Sequence, residues 1–428
     1  MEKAILIVCA APDSAVNRKP WMPPGAVGEL SAMINPKWTV RAWDEMVLGS
    51  VPASWIRNSS LVMLSGLTPS YYRMNEIASF CRENGIPLIA GGRDVIGCSR
   101  EPDGLNLLAD RFPSFCTTHM TKDLMKQILS DCANNGHLQQ HYQVPYGTPY
   151  QFVIPDQNII TPSDYYARYG IRSSVGCLNN CPFCTVGGQG QFRKPIKMLE
   201  AELETFCHWF FLDVADSFAG ILDHTEDILV VYKRSKMRWG TEITVSDLLG
   251  EDGQGKLISE MKQAGCMLIY LGIESIFRPI HGKVDRERTE TVIRRCRKEG
   301  IITIGSLIFD ITGKEMQEEI EETIHWATKW LDFAQFIFLA LLPGCDLRIK
   351  ALRDGNIIEN DWRKFDGAHP TIKHPLSPEQ RSQLLTRAYQ EFSTFPNILR
   401  RALRAQEITA GVAVFCGGLR YRKGIPQF

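Results

Sequence analysis

The chain has 428 residues, with 48 Lys and Arg against 48 Asp and Glu. That length implies roughly two to four domains around ample core material, and the balanced charge gives no electrostatic case for a nucleic-acid or anionic-membrane partner. Thirteen cysteines without a secretory signal point to a reducing compartment; the apolar run that opens the chain is too short to span a bilayer, so a soluble cytoplasmic enzyme is expected.

Ala4–Ala10 reads as a continuous apolar strand, the pattern of a parallel sheet covered on both faces. A loop over Pro12–Pro24 and a helix over Gly25–Ile34 follow. Trp38–Trp43 and Leu61–Ser65 are strands, Tyr72–Asn84 is an amphipathic helix, and Pro87–Ala90 is a strand running into Gly91-Gly92. This alternation predicts a Rossmann-like doubly wound domain over residues 1–140, which binds ligands at the carboxyl ends of its strands. Gly66, Gly91 and Gly92 stand at those ends, where backbone approaches a ligand or a neighbour closely. His137 and His141 have the i, i+4 spacing of a metal pair, but their polar surroundings fit a solvated linker better. Residues 141–164, punctuated by Pro145, Pro149, Pro155 and Pro162, form the linker to the next domain.

Within residues 172–194, Cys177, Cys181 and Cys184 fall at C-x3-C-x2-C after a β-prone run at Ile171–Val175. Gly176 and Pro182 keep the loop irregular, so the thiols can turn inward on one centre. Three thiolates fall short of the four ligands of structural zinc. They suit a [4Fe-4S] cluster with one iron left open, which can bind a ligand through its amine and carboxylate. A disulfide, a zinc set or chance proximity are the alternatives on the residues alone. Gly187-Gly188-Gln189-Gly190 follows this loop rather than a strand, so it does not read as a phosphate loop.

Strand and helix then alternate through residues 165–345. Strands are expected at Ser173–Val175, Phe210–Val214, Trp239–Val245, Met267–Ile273, Ile302–Phe309 and Phe333–Leu341. The helices between them are Lys197–Trp209, His224–Lys236, Gly255–Ala264, Thr289–Glu299 (closed by Gly300) and Lys314–Trp330. Periodicity alone allows a partial (β/α)6 barrel or an open sheet. Residues 346–428 read as a mainly helical domain, with Asp346–Asp354, a helix capped by Ser377 with Pro378 at its first turn, and Ile398–Ala405.

The cysteine loop, with Phe183 just before the last cysteine, resembles the cluster loop of radical S-adenosylmethionine (SAM) enzymes. Tyr270–Ser275 is similar to their fourth-strand Gly-Ile-Glu-Ser end, Gly305–Gly313 to their fifth-strand segment, and Phe333–Phe336 with Leu342–Cys345 to their sixth strand and Pro-Gly-Thr turn. The resemblance selects the partial barrel, gives the metal to Cys177, Cys181 and Cys184, and gives SAM to Phe183, Glu274 and Ser275. Their Gly-Gly-Glu motif is absent; Asp213 and Asp216 occupy its region, which makes Asp216 a further SAM candidate. Asp310 stands where the family often has Gly. Cys345 replaces the turn threonine and is the candidate catalytic thiol.

Pro23–Gly28, Val62–Thr68 and Leu88–Gly92 resemble the cobalamin-binding domain that precedes many such barrels, which implies cobalamin against Gly66, Gly91 and Gly92. The D-x-H-x-x-G histidine is missing; Asp44–Gly49 has that spacing but follows the second strand and carries Met46 in place of His. Phe112–Thr121 also departs from the usual turn. The C-terminal helices resemble those of the hopanoid C2-methyltransferase type, and if they cap the barrel mouth His369 and Tyr389 meet substrate there. Together these likenesses imply a cobalamin-dependent C-methyltransferase with a small-molecule, lipid or peptide substrate and an external electron donor such as flavodoxin or ferredoxin. A radical SAM enzyme that rearranges, cyclises or couples its substrate is the alternative; a non-catalytic iron–sulfur or corrinoid-binding protein is another.

Overall fold

The computed structural model describes residues 2–11, 22–135, 137–160, 165, 167–187, 190–250, 253–278 and 285–423. Most of the expected Pro12–Pro24 loop, Pro162 and the Gly188-Gln189 pair lie outside the described residues. The N-terminal domain is one parallel sheet of β1 (Glu2–Val8), β2 (Trp38–Asp44), β3 (Leu61–Ser65), β4 (Leu88–Gly91), β5 (Phe115–Cys116) and β6 (His141–Tyr142), in the order β2-β1-β3-β4-β5-β6. Strand alternation explains why β1 is apolar throughout. Ile5 and Ile7 pack against Met74 and Ile77 of the helix Tyr71–Glu83 on one face. Ala4 and Leu6 pack with Val27, Met125 and Ile128 on the other. The doubly wound unit expected from the sequence is present.

The short strands β5 and β6 were not apparent in the sequence, and β6 takes up the first residues expected to be linker. His141 lies on it, stacked 5.0 Å from Phe115, with Nε2 2.7 Å from Thr117 Oγ1. His137 and His141 therefore share no helix.

The central sheet holds β7 (Gly170–Ile171), β10 (Phe210–Asp213), β11 (Arg238–Thr244), β12 (Cys266–Glu274), β13 (Ile302–Ile308) and β14 (Phe333–Ile337), all parallel and in the order β14-β13-β12-β11-β10-β7. Two further strands, β8 (Ser174–Cys177) and β9 (Gly190–Arg193), form a separate antiparallel hairpin. This corrects the expected first strand. Gly170–Ile171 is the barrel strand and pairs with β10, whereas Ser174–Val175 has left the sheet. The Asp213 carboxylate causes the departure: it accepts the Ser173 N–H at 3.2 Å and the Tyr232 hydroxyl at 2.8 Å, capping the strand where the next backbone partner would stand. Outward-facing Phe211, Trp239, Ile269, Leu271 and Phe336 pack on the helices, each burial contributing about 1.5–3 kcal/mol. Asp285 caps the helix Arg286–Lys298 by accepting the Arg288 N–H at 2.9 Å, and Gly300 follows it at φ +69°.

Beyond the barrel come the helices Asp346–Arg353, Pro378–Phe392, Phe395–Leu403 and Ile408–Lys423. Ser377 and Gln380 close a reciprocal capping box at the second of them. The last helix does not cover the barrel mouth. Ala410 and Val414 pack with Ile302, Leu268 and Phe333 near the starts of the strands, so this helix closes the opposite end. The carboxyl ends face the N-terminal domain instead. There, a Cβ on Gly97 would stand 2.3 Å from the Pro343 carbonyl, and one on Gly344 would stand 2.5 Å from the Gly97 carbonyl. Arg348 reaches across to Glu101 at 2.5 Å. The Pro-Gly turn is thus a seam between domains. No described helix is long and apolar enough to cross a membrane.

Asp310 binds the C-terminal domain to the barrel. Fully buried, it accepts from Arg381 at 2.9 Å and from the Leu339 N–H at 2.6 Å. Burial pushes its carboxyl up to about 6, against the opposing pull of that N–H and the Arg381 charge. Removing one partner of a buried pair strands the other. Asp310→Ala is expected to lower stability by about 3–5 kcal/mol in chemical denaturation, and Asp310→Leu combined with Arg381→Met to cost less than either single change.

Candidate active site

The three cysteines sit between the two arms of the β8–β9 hairpin. Cys177 ends β8 in register with Gly190 and bridges Gly187. The Cys184 N–H donates to the Cys181 carbonyl at 3.0 Å, and the Val186 N–H points at Cys184 Sγ, 3.4 Å away. Amide donors of this kind suit a metal-bound thiolate. All thirteen cysteines are unbridged, and Cys177, Cys181 and Cys184 are half-buried. Among the described residues no three His, Cys, Asp or Glu side chains converge where one metal ion would sit. In a four-iron cluster each thiolate takes its own iron, and this donor set fits that group.

Backbone geometry holds the loop in this shape. Gly176 has φ +87°, and a Cβ there would stand 2.2 Å from the Gly190 carbonyl. Its N–H donates to Asp216 Oδ2 at 2.9 Å, while Arg93 of the N-terminal domain donates to Asp216 Oδ1 at 2.5 Å. At the far side of the loop Arg100 donates to the Thr185 carbonyl at 2.9 Å. Both flanks of the cysteine loop are therefore tied to the segment that starts at Gly92 and carries the helix Arg93–Cys98. Neither arginine sits in a recognisable motif, so the sequence offered no signal for them.

A cavity of about 2250 Å³ lies between the two domains. Drug-sized sites occupy roughly 300–1,000 Å³, so this one has room for more than one ligand. Its upper wall is Gly66, Leu67, Gly91, Gly92 and Thr117, at the carboxyl ends of β3, β4 and β5. Asn180, Cys184 and Gly187 supply the cluster side, and Leu212, Glu242, Tyr270, Ile304 and Gln335 line the bore of the barrel. Gly92 has φ +96° and lies so close to β3 that a Cβ would meet Ser65 Oγ at 2.4 Å. Burial raises the Glu242 carboxyl above its ordinary range; the Arg93 charge opposes that, and Asp216 and Glu274 add to it.

The other predicted residues divide. Gly66, Gly91, Gly92 and Asp216 are on the cavity wall; Phe183, Glu274, Ser275 and Cys345 are not among its described residues. Phe183 packs with Ile308, Leu339 and Leu347, and the Leu347 N–H donates to the Pro182 carbonyl at 2.9 Å. Glu274 has φ +64° where the β12–β13 register slips, and accepts from Ser306 Oγ at 3.1 Å. Such a conformation costs a non-glycine residue on the order of 1–3 kcal/mol and persists where its surroundings enforce it. Ser275 Oγ accepts the N–H groups of Phe277 and Arg278 at 3.3 and 3.2 Å. Cys345 is 1% exposed at the head of the helix Asp346–Arg353, and burial raises its thiol. Tyr389 is on the wall, its hydroxyl given to the Phe336 carbonyl at 2.7 Å, whereas His369 pairs with Asp366 outside the cavity. Met46 lies on the wall, its sulfur accepting the Ala11 N–H at 3.4 Å.

Residues 171–327 match the family model of the radical SAM superfamily. This chain carries a radical SAM domain. It is 28% identical over 268 residues to an uncharacterised methyltransferase of Pyrococcus horikoshii, a match covering 58% of this chain and 56% of that relative's length. The chain thus spans little more than half of the curated relative it matches. Among solved structures it resembles the radical SAM methyltransferase TsrM of Kitasatospora setae, determined with cobalamin and a [4Fe-4S] cluster, at 14% identity and TM-score 0.63, covering 90% of this chain and 85% of that one. It also resembles the cobalamin-dependent radical SAM enzyme OxsB, determined with aqua-cobalamin and SAM, at 10% identity and TM-score 0.63, covering 99% and 71%. These likenesses establish the fold, including the N-terminal domain ahead of the radical SAM domain.

Gly176→Ala tests the loop. It is expected to abolish the broad visible absorption of an iron–sulfur cluster after reconstitution while leaving the far-ultraviolet circular dichroism unchanged. Arg93→Ala, which frees Asp216, is expected to lower iron retention without abolishing it.

Proposed function

We propose that this chain is a cobalamin-dependent radical SAM enzyme that transfers a methyl group to a carbon atom. The observation that carries the reading is the single cavity shared by the Gly66 and Gly91-Gly92 strand ends, the cysteine loop and the barrel bore. Bound there, the cluster would supply the electron that cleaves SAM to a 5′-deoxyadenosyl radical, and the corrinoid would carry the methyl group.

The protein's own part is positional. Cys177, Cys181 and Cys184 would hold the cluster. Leu178, 58% exposed beside Cys177, brings this loop to the surface, where an external donor of flavodoxin or ferredoxin type would deliver electrons. The segments Pro24–Val27, Met63–Leu67 and Ile89–Gly92 all line the cavity and would take the corrinoid; the close Gly92–Ser65 approach leaves that wall clear of side chain. Met46 does not supply the missing histidine, because its sulfur is committed to the Ala11 amide. Glu274, outside the described cavity wall and held in its unusual conformation beside Ser306, would fix the strand end that meets SAM. With cofactors and substrate in place between the two domains, the radical would be shielded from water.

Reconstituted with iron and sulfide, reduced, and given SAM, the full chain is expected to release 5′-deoxyadenosine, and Cys181→Ala to release none. With cobalamin and substrate, S-adenosylhomocysteine should form alongside it. Deoxyadenosine without S-adenosylhomocysteine under those conditions would contradict methyl transfer.

A further inference from the structure

The bore of the barrel presents a carboxyl group whose nearby cation, Arg93, is bonded to Asp216 instead. Along β11, Trp239 and Ile243 turn outward into the core, so the alternating position, Glu242, faces the cavity and is open to it. No described group hydrogen-bonds its carboxylate. The neighbouring polar groups are already satisfied: Tyr270 donates to Gln335 Oε1, Tyr389 to the Phe336 carbonyl and Tyr421 to the Ala334 carbonyl. From Glu242, in register with Tyr270, the wall continues over Leu268, Ile302 and Phe333 to Gly417 of the last helix. Leu268, Ile302 and Phe333 make that stretch apolar, and Arg420 and Tyr421 of the last helix line the wall beyond Gly417. A ligand that fills the bore beside this exposed carboxylate strips it of water and has to supply a cation or donor in return.

The geometry points to a substrate site in which Glu242 seats a protonated amine and the apolar bore takes the body of the molecule, running toward Phe333. This assignment rests on the proposed function only in taking the bore as the place of the substrate. It makes Glu242 the residue that selects an amine over a neutral or anionic head group.

Isothermal titration of the full chain, reconstituted with iron and sulfide, with 4-phenylbutylamine, 4-phenylbutan-1-ol and 4-phenylbutyrate tests it, because the three share a body and differ in head group. The amine is expected to bind about tenfold more tightly than the alcohol, and the acid most weakly. Glu242→Gln should abolish the advantage of the amine and leave the alcohol unchanged. Leu268→Trp, which fills the bore, should weaken amine and alcohol alike, and keeps the question answerable if the first variant does not fold. Equal binding of the acid and the amine would overturn the assignment. So would an undiminished amine preference in Glu242→Gln, or a loss of SAM affinity in that variant with the amine spared, which would give the carboxylate to SAM. The titration needs no turnover. Amine selectivity in a chain that leaves SAM intact would remove the catalytic reading alone, and SAM cleavage without amine selectivity would remove this assignment alone.

Discussion

Asp216 spends both carboxylate oxygens on other parts of the chain. One accepts the Gly176 N–H, adjacent to Cys177; the other accepts from Arg93, two residues past Gly91 on the N-terminal domain. Through this side chain the loop that would carry iron and the strand end that would carry a corrinoid share one fixed point. Charge-assisted hydrogen bonds are short and directional, and here they join domains that also meet at the glycine seam of Gly97 and Gly344, the Arg348–Glu101 and Arg172–Glu29 pairs and the Tyr71–Trp362 stack. A chemistry that passes a group between two cofactors needs their separation set to within a fraction of an ångström. The Asp216 bridge and the Arg100 contact to Thr185 supply that constraint at both flanks of the loop.

The cavity follows from where the two sheets point. A doubly wound sheet and a barrel each bind at the carboxyl ends of their strands, and in this chain those ends face each other across the glycine seam. The last helix sits at the opposite end of the barrel against Ile302 and Phe333, so the bore is closed away from the cluster and open toward it. A substrate entering the bore would therefore present its reacting carbon between the two cofactors.

Much of this was legible in the residues. Continuous apolar strands alternating with amphipathic helices announced the doubly wound sheet, and the cysteine spacing placed the loop. The first barrel strand was misplaced because the β-prone run Ile171–Val175 is interrupted by a side chain distant in sequence: Asp213 captures the Ser173 amide and turns the chain out of the sheet. Propensity cannot register that. Arg93, Arg100 and Glu242 escaped for a related reason, since each acts through a partner or a void that only the folded chain brings near. Asp216 was singled out by its place in the chain, but its two bonds show a bridging side chain, a role that no local pattern encodes. Phe183, a SAM candidate by resemblance, packs with Leu347 and Leu339 and so helps hold the loop.

The measurement closest to the centre of the account is cofactor retention by the full chain after anaerobic loading with iron, sulfide and hydroxocobalamin and passage through a desalting column. The account predicts roughly four irons and one corrinoid on each chain, both surviving the column because one cavity between the domains holds them. Corrinoid that washes away while the iron stays would contradict it.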